Sequence, residues 1–260
     1  MQEKTFYYKN IKINYSSSGK GPVVVLLHGF LENKTMWQEI VPSLAQKNRV
    51  ITIDLLGHGK TDNLSYVHTM EAQAKMIKAM LNHLKLRRYF IIGHSLGGYI
   101  ALAFAELFPK TIKGLCLMNS TALPDTFEKK INRERAIAMV KKNATIFIKL
   151  AIPNLFTSAS RLKHKTSIEA IKEQALLTTK QGVIASLEGM KIRKDRSFIY
   201  HNSAFKTTLI IGKTDPLLSY NSLLSQVKNT KVDIIEFSNG HMSHVENTQE
   251  LIVEFLQFLK

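Results

Sequence analysis

The chain has 260 residues, which fits one large domain or a core domain that carries an insertion. A hydrophobic fraction of 45%, with only 13 glycines and 6 prolines, is typical of a folded globular chain and excludes a low-complexity one. The 36 basic and 20 acidic residues give a net charge of +16, which is compatible with nucleic acid, anionic lipid or an anionic substrate as a partner.

Several classes of protein are excluded by what the sequence lacks. The longest aliphatic run, residues 23–27, is far shorter than the ~20 residues of a membrane helix, and the N-terminal residues show no apolar signal segment. The single cysteine, Cys116, excludes an internal disulfide and a cysteine-rich zinc site. No Lys/Arg run exceeds two residues, and no nucleic-acid-binding signature is present. We therefore expect a cytoplasmic protein that neither binds nucleic acid nor inserts into membranes.

Strand and helix patterns alternate in the first half of the chain. Continuous apolar runs indicate buried strands, and apolar residues at helical spacing indicate amphipathic helices. The predicted strands are residues 4–9, 11–15, 23–27, 49–53, 89–92 and 112–118, and the predicted helices are residues 33–46, 68–84 and 95–108. Lys9 and Asn10 are expected in a hairpin turn, and residues 16–22 in a loop. The alternation predicts an α/β fold, a mostly parallel sheet with helices on both faces.

The alternation stops between residues 122 and 203, where only helical periodicity remains. The clearest helical pieces are residues 131–140, 168–177 and 183–190, and Pro153 and Gly182 are expected to interrupt the pattern. Beyond this segment, strands are predicted at 207–211 and 232–237 and helices at 217–227 and 245–259. We therefore predict a core domain of residues 1–121 and 204–260, interrupted by a helical insertion of residues 122–203.

Ser95 is the predicted nucleophile. It stands in G-H-S-L-G, residues 93–97, which fits the nucleophile-elbow pattern G-x-S-x-G between a predicted strand and a predicted helix. So sharp a turn strains the backbone of the serine and leaves no room for side chains beside it, which explains the glycines. The alternative is a glycine-rich helix start without catalytic function.

A serine hydroxyl needs a base, and His241 is the predicted one. It follows the strand at 232–237, so it is expected at the carboxyl end of the sheet, where open α/β sheets place their active sites. His244, three residues later, is the rival, and either histidine is otherwise an ordinary loop residue.

The imidazole needs a carboxylate to fix its tautomer, and Asp215 is the predicted partner. It lies on the loop after the strand at 207–211, and the order Ser95, Asp215, His241 is the order of the α/β-hydrolases. The alternative is a turn or helix-capping role for Asp215, with Asp125 or Asp233 as the acid.

An oxyanion hole needs at least two N–H donors. We predict the amide of Leu96, which follows the nucleophile, and the amide of Phe30 in the loop after the strand at 23–27. Gly29 is expected to let the backbone approach the substrate, so Gly29 and Phe30 are the predicted substrate contacts. The neighbouring His28 is expected to order this loop.

Together, these residues resemble a serine hydrolase of the α/β-hydrolase superfamily. The motifs stand in family order along essentially the whole chain: H-G-F at 28–30, D-L-L-G-H-G-K-T-D at 54–62, G-H-S-L-G-G at 93–98, G-K-T-D at 212–215 and G-H at 240–241. Leu56 departs from the proline of many relatives, with no catalytic consequence expected. The resemblance implies that residues 122–203 form a helical cap over the active site, between the sixth and seventh core strands, and that neither cofactor nor metal is needed.

The resemblance narrows the reaction less than the fold. A serine nucleophile sets aside haloalkane dehalogenases and epoxide hydrolases, which have aspartate there, and a Gly-Met pair at 189–190 with Arg193 and Asp195 resembles esterases and enol-lactonases. We expect a hydrolase of small to medium carboxylic esters. A carbon–carbon bond hydrolase, enol-lactonase or lyase acting on an anionic small molecule, or a non-catalytic ligand receptor, stays open. The sequence predicts no oligomeric state.

The charge of the helical insertion bears on these alternatives. Residues 121–205 hold sixteen Lys/Arg and seven Asp/Glu, a net charge of +9. If part of it faces the pocket, arginines would bind a substrate carboxylate through paired hydrogen bonds; otherwise the basic residues only face water. The candidate arginines are Arg133, Arg135, Arg161 and Arg193.

Overall fold

Eight strands form the centre of the protein in the computed structural model, which describes residues 2–260. The strands are β1 (Glu3–Tyr8), β2 (Ile11–Ser18), β3 (Val23–Leu27), β4 (Arg49–Ile53), β5 (Tyr89–His94), β6 (Ile112–Met118), β7 (Lys206–Gly212) and β8 (Asp233–Phe237). They lie in one sheet in the order β1-β2-β4-β3-β5-β6-β7-β8. Strands β3 to β8 are parallel, whereas β1 and β2 pair antiparallel. The prediction of a mostly parallel sheet is confirmed.

Helices cover both faces of this sheet. They are α1 (Val41–Leu44), α2 (Met70–His83), α3 (Leu96–Leu107), α4 (Phe127–Ala151), α5 (Ser158–Lys163), α6 (Lys165–Ala175), α7 (Lys180–Lys191), α8 (Phe198–Asn202), α9 (Tyr220–Gln226), α10 (Ser243–Glu246) and α11 (Thr248–Phe258). Short 3-10 turns lie at Lys34–Trp37, Pro109–Thr111 and Pro153–Leu155. Within residues 2–260, no helix is both long and apolar enough to cross a bilayer.

The side chains of the central strands alternate between two hydrophobic layers. On β3, Val25 and Leu27 pack in the layer that contains α2 and α3, whereas Val24 and Leu26 pack in the layer with Trp37 and α11. A strand that is apolar on both faces is stable only between two covering layers, which is the pattern that the continuous apolar runs predict. The loops at the carboxyl ends of the strands are thereby fixed on a rigid base.

The region between β6 and β7 contains helices α4 to α8, and both of its ends are tied to the core. The main-chain N–H of Arg196 donates to the carbonyl of Ala122, 2.9 Å away, which joins the two ends. The Arg196 guanidinium, almost fully buried, pairs with Glu71 of α2 at 2.5 Å and Glu106 of α3 at 2.9 Å. These pairs anchor the helical segment 122–203 against the two core helices.

The predicted helix at residues 33–46 is wrong. The structure has the 3-10 turn Lys34–Trp37 and the short helix α1 instead. Pro42 lies in the first turn of α1, and proline inside a helix removes a hydrogen bond and clashes with the preceding turn. A helix can begin at this proline but cannot run through it.

Three other local predictions differ from the structure. Strand β2 continues through Ser18, because residues 16–18 complete a ladder with β4 that overrides their loop-like composition. Gly182 lies inside α7, where a Cβ would stand 2.1 Å from the carbonyl oxygen of Gly57; the glycine serves close packing there and does not end a helix. The predicted terminal helix is divided at Asn247, which has a non-helical φ of −137°.

Candidate active site

The turn from β5 to α3 has the geometry expected of a nucleophile elbow. Ser95 has φ 47° and ψ −111°, a region that costs a non-glycine residue about 1–3 kcal/mol. A Cβ on Gly93 would stand 2.4 Å from the carbonyl oxygen of Gly97, and a Cβ on Gly97 would stand 2.3 Å from that of Leu27. The flanking glycines are therefore required by space, and the strained serine is held between a strand and the start of a helix.

The structure brings His241 and Asp215 together. His241 lies on the loop after β8, and its Nδ1 is 2.7 Å from Oδ2 of Asp215, on the loop after β7. Both side chains are almost completely buried. Burial raises the pKa of Asp215, but the charge and hydrogen bond of His241 and the amides of Leu217 and Leu218 outweigh it, so the pKa lies below its usual value. The carboxylate is thus ionised and holds the ring.

Asp215 also has the turn-capping role that was its alternative interpretation. Its Oδ1 accepts the main-chain N–H of Leu217 at 2.8 Å and of Leu218 at 3.1 Å. The two roles are compatible because one carboxylate oxygen faces the turn and the other faces His241.

Ser95 and His241 line the same cavity, which has a volume of about 290 Å³. Its floor comes from the core and its walls are mostly apolar side chains of the helical segment 122–203. The residues contributed by that segment are Lys129, Asn132, Arg133, Ala136, Phe147, Ala151, Leu155, Leu187 and Met190. The arrangement gives a small apolar site with a hydroxyl and an imidazole on one side.

The predicted oxyanion donors, the amides of Leu96 and Phe30, belong to the start of α3 and to the loop after β3. Leu96 is the first residue of α3, so its amide is one of the N–H groups that a helix leaves without an internal partner. Phe30 follows the end of β3 and lines the cavity. Gly29 donates its own N–H to Glu32, 2.7 Å away, and a Cβ on Gly29 would collide with Glu32 and His94. The structure therefore shows a packing reason for this glycine that differs from the expected approach to substrate.

The remaining candidates for acid and base lie elsewhere. His244 is buried with Nε2 3.4 Å from Oε1 of Glu32, and burial lowers its pKa to about 4. The carboxylate of Asp125 accepts hydrogen bonds from Arg133 and Arg193, and Asp233 is exposed at the start of the edge strand β8. Neither aspartate has a hydrogen bond to a histidine among residues 2–260.

His28 is held as the neutral imidazole in the loop where it was expected. Its Nε2 accepts the N–H of Leu55 at 2.9 Å, and its Nδ1 lies 2.7 Å from the carbonyl of Gly29. Burial lowers its pKa to about 4. The side chain therefore connects the loop after β3 to the loop after β4.

The candidate arginines of the helical segment are mostly bound to the protein itself. Arg193 is buried, donates to Asp125 and to the carbonyls of Leu123 and Met190, and has its guanidinium 4.2 Å from the ring centroid of Tyr99. Of the four, only Arg133 lines the cavity, and it is bonded to Asp125. Arg161 donates to the carbonyls of residues 153 and 156, and Arg135 donates to Asn132.

Several polar residues that contact this site were not predicted from the sequence. Asn119, with φ 47° at the end of β6, donates to the carbonyl of Gly240 at 3.0 Å and lies 3.4 Å from Oδ2 of Asp215. Glu32 and His94 form a buried pair, with 2.7 Å between Oε2 and Nδ1. A polar residue directly after a buried strand was the available signal for Asn119; the Glu32–His94 contact spans 62 residues and has no local signal.

Known proteins resemble this chain in sequence and in structure. A family model described as the alpha/beta hydrolase fold matches residues 22–248. An esterase from Thermogutta terrifontis, whose structure was solved with malate bound, has a TM-score of 0.90 and 28% identity over 100% of this chain and 98% of its own. The enol-lactonase of Burkholderia xenovorans has the same fold, with a TM-score of 0.90 and 19% identity over 98% of this chain and 99% of its own.

Curated relatives match to different extents. Human monoacylglycerol lipase ABHD6 is 23% identical over 98% of this chain and 82% of its own length. An uncharacterized protein of Mycobacterium tuberculosis is 39% identical over 103 residues, but that match covers 40% of this chain and 30% of the relative. Because the family model spans most of the sequence and the sheet, elbow and loops agree with it, the chain belongs to the α/β-hydrolase fold family.

Proposed function

We propose that this protein hydrolyses carboxylic esters of small to medium acyl compounds, with Ser95, His241 and Asp215 as a catalytic triad. The observation that carries the proposal is the 2.7 Å contact between His241 and Asp215 beside a cavity that Ser95 also lines. The resemblance to the Thermogutta esterase over the full chain supports the choice of ester hydrolysis. Residues 122–203 would act as the cap that supplies the apolar walls.

The proposed reaction has two halves. His241 takes the proton of Ser95 as the Ser95 Oγ attacks the ester carbonyl. The amides of Phe30 and Leu96 stabilise the oxyanion, and each donor contributes about 3 kcal/mol of transition-state stabilisation. The alcohol leaves with the proton from His241, and an acyl-enzyme remains. A water molecule, deprotonated by His241, then releases the acid and restores Ser95. Asp215 stabilises the imidazolium in both halves.

A turnover assay with p-nitrophenyl acetate and butyrate tests this function. Ser95→Ala should lose at least ~10⁴-fold in kcat, because members of a triad act as a unit. A fluorophosphonate probe should label the wild type on Ser95 and leave the variant unlabelled. Near-wild-type turnover by folded Ser95→Ala would end the serine-hydrolase proposal, and absence of turnover in the wild type would favour a ligand receptor.

A second candidate, a substrate that carries a carboxylate, is favoured by Lys129. This residue lines the cavity, and within residues 2–260 no carboxylate lies within salt-bridge distance of its ammonium. Lys129 is exposed as a residue, but partial desolvation of its ammonium and the guanidinium of Arg193 lower its pKa, against the opposing charge of Asp125. The structure of the similar Thermogutta esterase was solved with malate bound, which is consistent with a substrate that carries a carboxylate. Such a substrate would suit an ester hydrolase, an enol-lactonase or a carbon–carbon bond hydrolase.

Two esters of equal size, one neutral and one with a terminal carboxylate, test whether the site prefers an anionic substrate. Lys129→Met should lower kcat/KM about tenfold for the anionic ester, because one charged hydrogen bond is lost. The value for the neutral ester should stay within about twofold of the wild type. Lys130→Met is the matched control, since Lys130 is exposed on α4 as Lys129 is but does not line the cavity. An equal effect of both variants on both esters would show that these lysines only face water.

A further inference from the structure

The ring of His94, directly before the elbow serine, faces an oxygen acceptor at each nitrogen. Its Nδ1 lies 2.7 Å from Oε2 of Glu32, and its Nε2 lies 3.0 Å from the main-chain carbonyl of His241. Neither a carbonyl nor an ionised carboxylate can donate a hydrogen bond. A ring that bonds to both oxygens must therefore carry a proton on each nitrogen, which makes it an imidazolium.

Glu32 is arranged to remain an anion beside this ring. Its Oε2 also accepts the N–H of Gly29 at 2.7 Å. Burial raises the pKa of Glu32, but the charges of His94 and His244 and the hydrogen bond from His94 lower it to about 2. Correspondingly, burial lowers the pKa of His94, but Glu32, the carbonyl of His241 and the charge of Asp215 raise it above the usual value.

The titratable groups that face His94 come from every loop around it. His28 and Glu32 face it from the loop after β3, Asp215 from the loop after β7, and His241 and His244 from the segment after β8. Of these, His28 and His244 have pKa values lowered to about 4 by burial, so they are neutral at pH 7. Of the two carboxylates that face the ring, Glu32 is the one hydrogen-bonded to it.

A metal ion is the competing explanation of this cluster, since ligand atoms of Glu32, His94 and His244 lie within 4.8 Å of one another. Two ligands of one tetrahedral zinc, each about 2.0–2.1 Å from the metal, are about 3.3 Å apart. The 2.7 Å between Glu32 and His94 is shorter and is the distance of a charged hydrogen bond. The geometry therefore favours a shared proton over a shared metal.

Side chains hold two consecutive main-chain carbonyls, those of Gly240 and His241. Asn119, at the end of β6, donates to the carbonyl of Gly240, and His94, at the end of β5, holds the carbonyl of His241. These carbonyls belong to the peptide groups on either side of the His241 Cα. Fixing both peptide groups fixes the direction in which the His241 side chain leaves the backbone.

We propose that the buried Glu32–His94 ion pair is a positioning device for the catalytic loop. Glu32 holds His94 as an imidazolium, and the second N–H of that ring fixes the main chain of His241. The proposal rests on the proposed role of His241 as the base; Glu32 and His94 themselves are positioning residues that do not react.

Nitrogen-15 NMR of histidine-labelled protein tests the charge state without reference to activity. His94, assigned by loss of its signals in His94→Gln, should carry protons on both ring nitrogens at pH 7.5 in the wild type. In Glu32→Gln it should be a neutral ring with one N–H. A neutral His94 in the wild type would overturn the proposal. So would stoichiometric zinc in the purified protein that is lost in His244→Ala.

The pH dependence of turnover tests the positioning role. In the wild type, kcat should fall on the alkaline side as His94 loses its second proton. Glu32→Gln should lower kcat about 10- to 100-fold, the order expected of a misplaced catalytic group, and move this alkaline fall to lower pH, with KM within about twofold. A loss in Glu32→Gln that is equal at every pH would show a merely structural role. If wild-type turnover does not depend on Ser95, the proposed function fails, whereas the NMR result still decides the charge of the pair.

Discussion

The sheet core and the helical segment 122–203 hold their charged residues in different ways. In the core, Lys34 and Asp54 pair at 3.1 Å with side chains that are 5% and 1% exposed. In the helical segment, Lys172 and Glu169 pair one helical turn apart at 2.7 Å, with side chains that are 20% and 58% exposed. A buried pair persists only in a fixed geometry, whereas an exposed pair adds little to stability. The core is therefore built to fix chemical groups, and the helical segment to shape the space around them.

The boundary between the two regions is the exception. There Asp125, with a fully buried side chain, binds both Arg133 and Arg193. Burial raises the pKa of Asp125, but the two guanidiniums lower it below the usual value. This cluster uses two of the cations that the sequence suggested for substrate binding, so Lys129 is left as the basic residue of the cavity wall without an ion-pair partner in the described chain.

We expect the largest effect, a loss of activity, from substitution of a histidine in the core. His241→Ala should lower kcat/KM for p-nitrophenyl butyrate by ~10⁴-fold or more, because the proposed base is lost. His244→Ala should keep most of the activity, since its ring lies beside Glu32 and not beside Asp215. The opposite result would move the base to His244, and circular dichroism of both variants would check that they fold.

A buried pair of the core should also matter more for stability than an exposed one. Lys34→Met removes the ammonium beside Asp54, whose buried carboxylate then keeps the main-chain N–H groups of Lys34 and Lys60 but loses its cation. We expect a loss of about 3 kcal/mol in the free energy of unfolding, measured in urea. Lys60→Met is the control, because its exposed pair with Glu3 should contribute less than about 1 kcal/mol. Similar losses in both variants would contradict the difference between buried and exposed pairs.

Local patterns predicted those parts of the molecule in which neighbours in sequence are neighbours in space. The apolar runs predicted the parallel strands, and the glycines around Ser95 predicted the strained turn. The placement of His241 and Asp215 after consecutive strands predicted that they would meet, because the carboxyl ends of parallel strands share one edge of the sheet.

Contacts between distant residues could not be predicted in this way. The bonds of His94 span 62 residues to Glu32 and 147 residues to His241, and nothing in the local sequence selects these partners. The role of Gly182 depends on its distance from Gly57, which only the packing of α7 on the core defines. Sequence alone likewise could not show that Arg193 turns toward Asp125 instead of the cavity.

The smallest expected effect is the dependence of stability on pH, which arises from buried histidines of the core. Four buried histidines, all outside residues 122–203, have pKa values lowered by burial: His28 and His244 to about 4, His58 to about 3 and His68 to about 4. A histidine that is neutral when folded stabilises the protein fully above its unfolded pKa of 6.5. That stability is lost as the pH falls toward the folded value, because the unfolded chain binds the proton more readily.

His58 is the best single test of this acid sensitivity. Between pH 7.5 and pH 5 its contribution should fall by about 2 kcal/mol, calculated from its two pKa values. The Glu32–His94 pair acts in the opposite direction over this range, because the stability that is lost above pH 6.5 through His94 is regained as the pH falls to 5, whereas Glu32 loses stability only below pH 4.5. Comparison of a His58 variant with the wild type isolates His58, since the pair is present in both proteins. His58→Asn keeps a donor for the carbonyl of Leu56 but cannot titrate, so urea unfolding of the variant should depend less on pH by about that amount. His201→Asn, at an exposed position on α8, is the control for the loss of one histidine from the chain. An unchanged pH dependence in His58→Asn would contradict the lowered pKa of His58 in the folded protein.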